Sequence, residues 1–162
     1  MESLKLAGQN YLLRMINNDI NLKLQANDEK DLKIFSAYLQ DAVIVTQDIK
    51  FLERNKTFLC IFNRFMWEDA EHGVFRENRR IKSAIVFKSI LRVKSKNINI
   101  KNKSRILEFL ALEAKQLKNN NYNLKLIFSG DAIISMEAEF IDSTLEDFSD
   151  SWITKYKPKH KI

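Results

Sequence analysis

Leu124-Lys125-Leu126-Ile127-Phe128, Ser129-Gly130-Asp131, and then Ala132-Ile133-Ile134-Ser135-Met136-Glu137-Ala138-Glu139-Phe140-Ile141 decide how this chain folds. Two apolar arms flank a short polar segment with a glycine, the signature of an antiparallel hairpin. On the second arm Ile134, Met136, Ala138 and Phe140 point one way while Ser135, Glu137 and Glu139 point the other. Period two with one apolar face marks a strand half covered by a core.

The same period recurs upstream. Across Ser83 to Lys94, Ile85, Phe87, Leu91 and Val93 share one face, and Lys88, Arg92 and Lys94 share the other. Leu22 to Ala26, Ala42 to Thr46, Ile49 to Glu53 and Phe58 to Trp67 also read as strands, with Arg54-Asn55-Lys56-Thr57 as a tight turn in which Asn55 is able to take the left-handed conformation. Ile106 to Ala114 fits a helix or a buried strand, and its strand neighbours favour the latter. Period 3.6 appears twice. Asn27 and Asp28 offer N-caps to a helix reaching Gln40, with Leu32, Phe35 and Leu39 on one face. Ser143-Thr144-Leu145-Glu146 is a capping-box pattern followed by Leu145, Phe148 and Trp152 at i, i+3 and i+7, which predicts an amphipathic C-terminal helix anchored by Trp152. The sum is one α+β domain over residues 21–155: a mainly antiparallel sheet or partly open barrel of six to eight strands, one helix near the N-terminus and one at the C-terminal end. Residues 1–20 read as an extension and 156–162 as a basic tail.

Composition narrows the function classes. The 162 residues are 45% apolar and 30% charged, with 11 Phe and only 3 Gly, which is a globular composition. The lone Cys60 lies in the apolar run Phe58-Leu59-Cys60-Ile61-Phe62 and reads as a buried structural thiol. No apolar run approaches the ~18 residues of a membrane span. Met1-Glu2-Ser3-Leu4-Lys5-Leu6 lacks the pattern of a signal peptide, so the expected location is cytoplasmic. Net charge is +6, yet Lys, Asn and Ile supply 52 of the 162 residues, the bias that AT-rich coding produces. The charge is uneven: Arg76 to Arg105 holds eleven bases and one acid, and Asp131 to Asp150 holds seven acids and no base. Such polarity can steer an anionic partner or pair the chain's own faces.

No glycine-rich phosphate loop, H-E-x-x-H, G-x-S-x-G or cysteine pair occurs, and two histidines leave little for acid/base chemistry. Glu68, Asp69, Glu71 and His72 form an acid/His cluster that reads as a solvated loop; no metal and no cofactor is expected. Asn63, Arg64, Trp67 and Glu68 end a hydrophobic strand, where Arg64 and Trp67 could clamp an anionic or planar ligand. The competing reading pairs Arg64 with a carboxylate such as Asp41 or Glu68 and orients a buried Trp67. Arg79, Arg80, Lys88, Arg92 and Lys94 are the candidate anion-binding face.

Four stretches, Leu39-Gln40-Asp41-Ala42-Val43, Asn63-Arg64-Phe65-Met66-Trp67-Glu68-Asp69, Ala84-Ile85-Val86-Phe87, and Leu145-Glu146-Asp147-Phe148 through Trp152 to Pro158-Lys159-His160, resemble in order and spacing the alphaproteobacterial family called domain of unknown function 2948. The resemblance covers Leu22 to His160 and implies a bacterial cytoplasmic protein without an assigned activity. In outline the expected sheet and closing helix resemble pleckstrin-homology-like barrels, an analogy of fold from which function does not follow. The leading expectation is a small non-enzymatic binding or adaptor domain acting on a protein partner. The alternative is a weak RNA- or DNA-binding domain using the 76–105 basic face and the Lys-rich tail.

Overall fold

The computed structural model describes residues 22–67, 78–99, 101–155 and 157–158. Their elements run β1 (Lys23–Ala26), α1 (Glu29–Tyr38), β2 (Val43–Val45), β3 (Ile49–Leu52), β4 (Thr57–Phe65), β5 (Arg79–Phe87), β6 (Ile90–Lys96), β7 (Ile106–Gln116), β8 (Tyr122–Phe128), β9 (Ala132–Ala138), β10 (Ser143–Asp147) and β11 (Trp152–Ile153). The N-terminal extension, Glu68 to Glu77 and most of the basic tail lie outside the described residues.

The strands form one open antiparallel sheet in the order β1-β10-β5-β4-β2-β7-β8-β9-β6, with β3 beside β4 and β11 beside β5. Its two halves meet at β2, which pairs β7 over three residues and β4 through Val43 and Asn63. The hairpin forms as its sequence dictates: Leu124 faces Met136 and Leu126 faces Ile134, and the turn uses positive φ at Gly130 (72°) and Asp131 (55°). Ile106 to Gln116 is a strand, since its inward residues Leu107, Phe109 and Leu112 belong to the same buried face.

The interior of the curved sheet is apolar and aromatic. Phe62, Phe109 and Phe128 meet edge to face and stacked at 5.7 to 6.4 Å between ring centroids. Helix α1 closes this core against β7. Asp28 caps it, accepting the Asp31 N–H at 2.8 Å, and Leu32, Phe35, Tyr38 and Leu39 are buried, so the stripe read from the sequence is the packed face. Each such side chain contributes about 1.5–3 kcal/mol by leaving water.

Four expectations need correction. The C-terminal helix is absent; Ser143–Asp147 is β10, held between β1 and β5. Both of its edges are saturated by neighbours, which outweighs the local capping preference. The Ser143 hydroxyl accordingly donates to the Val86 carbonyl at 2.8 Å. Period two then turns Ser143, Leu145 and Asp147 inward and leaves Phe148 49% and Trp152 38% exposed. Secondly, Ser83 to Lys94 is two strands. Ser89 takes φ 59°, and the chain passes from β5 in one half-sheet to β6 in the other. This break, with β10 and β11, raises the strand count from the expected six to eight to eleven. Thirdly, Lys56 (φ 50°), not Asn55, is the left-handed residue of the turn before β4. Finally, Phe140 is exposed because β9 ends at Ala138, before the alternation can carry it inward.

Candidate functional site

The core face of β4 reads Phe58, Cys60, Phe62, Arg64, so a guanidinium stands where the pattern asks for another apolar group. It is fully enclosed. Its Nε donates to Asp147 Oδ1 at 2.9 Å and its Nη2 to Oδ2 at 2.8 Å, a bidentate fork. The Ser83 hydroxyl also donates to Asp147 Oδ1, and the guanidinium carbon lies 5.5 Å from the centre of the Tyr38 ring. Three strands and the helix thus converge on one buried ion pair: β4 gives Arg64, β10 gives Asp147, β5 between them gives Ser83, and α1 gives Tyr38. This pairing supports the structural reading of Arg64, with Asp147 in the place that the sequence suggested for Asp41 or Glu68. The same burial acts on Cys60, whose thiol pKa is pushed far up by desolvation, which holds it in the unreactive neutral form.

On the other face of the β4–β5 pair, Trp67 donates its indole N–H to the Gln40 carbonyl at 2.7 Å and meets Phe65 edge-on at 4.6 Å. Arg80 lies over the same Phe65 ring, its guanidinium carbon 5.8 Å from the centroid, and donates to the Asn63 carbonyl at 3.1 Å. Burial lowers the pKa of Arg80, while the charges of Asp41 and Glu108 act to raise it. Asn63, Trp67 and Arg80 are therefore neighbours around Phe65, whereas Arg64 points into the core; Glu68 lies outside the described residues.

The five basic residues spread along the molecule. Arg79 and Arg80 open β5 and turn to opposite faces, Arg79 donating to the Ser151 hydroxyl at 3.2 Å. Lys88 follows the far end of β5, roughly 26 Å along the strand from Arg80 at the usual rise. Arg92 and Lys94 sit on the outward face of β6, Arg92 paired with Glu137 at 3.3 Å.

A further feature escaped the sequence. Between β3 and β6 the sheet stays open as a cleft of about 720 Å³. Ile49, Phe51, Phe58, Val93, Ile98 and Ile134 give it an apolar floor, and Lys50, Asp48 and Lys103 stand at its rim. Ile49 and Phe51 do alternate with Lys50 in the sequence, but nothing local states how many neighbours β3 and β6 have.

Among the described residues, no helix is long and apolar enough to cross a membrane. No curated protein matches the chain. A family model, described as "Protein of unknown function (DUF2948)", matches residues 22–160, which span the whole sheet and its helix. The chain therefore belongs to the DUF2948 family.

Proposed function

We propose that this protein is a non-enzymatic binding domain that acts through protein–protein contacts. The observation that carries the reading is the cleft of about 720 Å³ between β3 and β6, within the usual range of ligand sites and floored by six apolar side chains. The buried Arg64–Asp147 pair supports it indirectly. It ties β4, the strand that carries β3, to β10 from within the core. Capture of the tagged full-length chain from its native cells, with and without nuclease, tests the reading. A stoichiometric protein partner that survives nuclease is expected. Association that nuclease abolishes would overturn it and favour nucleic-acid binding through the basic face.

A further inference from the structure

Building on that reading, we infer that the cleft between β3 and β6 takes an extended peptide as an added strand, with side chains alternating apolar inward and acidic outward. Three observations converge on this occupant.

The first is backbone. Among the described residues, β3 pairs with β4 alone and β6 with β9 alone. Each turns a second, strand-unpaired edge towards the cleft, and such an edge is a template for another strand. The two half-sheets are tied at one end of the cleft, where the Ile90 N–H donates to the Lys56 carbonyl at 2.8 Å, so the opening has a fixed end.

The second is the inward pattern. Register sets Ile49 opposite Cys60 and Phe51 opposite Phe58, and sets Val93 opposite Met136 and Ser95 opposite Ile134. All these partners belong to the core, so the inward positions of both edges look into apolar space. Every second side chain of an inserted strand would meet Phe51, Phe58, Val93 and Ile134.

The third is the outward pattern. Lys50 on β3 faces away from the core, as do Arg92, Lys94 and Lys96 on β6. An inserted strand would thus lie between bases on both flanks, and opposite charges on neighbouring strands attract. With edges of four and seven residues, a segment of about six residues fits.

The test uses the full chain and synthetic, end-blocked fluorescent hexapeptides. One alternates Val and Glu, one alternates Val and Lys, and one blocks the Val and Glu residues apart. Fluorescence anisotropy measures affinity, and amide hydrogen exchange locates binding. The alternating Val/Glu peptide is expected to bind below about 1 mM and to slow exchange in β3 and β6. The exposed pair of substitutions Lys50→Glu and Lys94→Glu should leave the fold intact by circular dichroism. It should weaken the Val/Glu peptide roughly tenfold and favour the Val/Lys peptide instead. Equal binding of the blocked peptide, protection elsewhere than β3 and β6, or no effect of the double charge reversal would overturn the inference. So would binding of decanoate in place of every peptide, which would make the cleft a site for small amphiphiles. If the charge-reversed chain still captures its nuclease-resistant partner in full, the binding-domain reading stands and the cleft is not its site. If the peptide binds but no protein is captured, the opposite holds.

Discussion

Asp147→Asn is the substitution on which the account of the core depends. It keeps the shape of the side chain and removes its charge, leaving the guanidinium of Arg64 enclosed without the Asp147 carboxylate. Arg64 and Asp147 are both essentially inaccessible and share two hydrogen bonds of 2.8 and 2.9 Å. Breaking a buried pair from one side costs about 3–5 kcal/mol, because the remaining charge has lost its partner but not its burial. The double change Arg64→Met with Asp147→Leu removes both charges at once. It should cost far less than the sum of the single changes, giving a coupling energy of about 2–3 kcal/mol. Urea unfolding followed by tryptophan fluorescence and circular dichroism measures all three. With a slope of about 1–3 kcal/mol per molar, the single change should lower the midpoint by roughly 1 M or more. A loss below about 1 kcal/mol for Asp147→Asn, or strictly additive single changes, would refute the claim that this pair is desolvated and interdependent.

Three further outcomes follow from the packing. Phe35→Ala should destabilise by about 3–5 kcal/mol, read by the same urea midpoint, since the ring is buried between α1 and the sheet. Trp152→Ala should cost less than about 2 kcal/mol by the same measurement, because Trp152 is 38% exposed on a two-residue strand. Cys60 should resist iodoacetamide in native buffer at pH 8 and react fully in urea, as mass spectrometry would read, because burial raises its thiol pKa.

The sequence shows its fold most clearly where one period runs unbroken between punctuation marks. The β8–β9 hairpin and the capped helix α1 are such segments, and both formed there, though β9 stops at Ala138 and the helix at Tyr38, short of the expected Ile141 and Gln40. It misleads where long-range pairing outweighs local preference. Ser143 to Glu146 is a sound capping box in isolation, but β1 and β5 offer it two rows of backbone partners, and Asp147 must reach Arg64. The site divides the same way. That Arg64 in an apolar strand needs a carboxylate was legible from its burial pattern. Which carboxylate was not, because Asp147 is 83 residues away. The cleft was hidden for a related reason: a strand's own residues do not tell how many neighbours it has.

That separation of 83 residues has a consequence for the order of events during synthesis. Arg64 leaves the ribosome well before Asp147, and at about 5–20 residues per second the interval is roughly 4–17 s. Within it, β7, β8 and β9 can zip through adjacent turns. In the other half-sheet β1 must wait, because β10 is the strand that joins it to β5. The nascent chain therefore carries Arg64 in an unfinished strand without the Asp147 carboxylate until β10 is made. A chain truncated before Ser143 would keep that exposure permanently, and the edges of β1 and β5 would be open to aggregation.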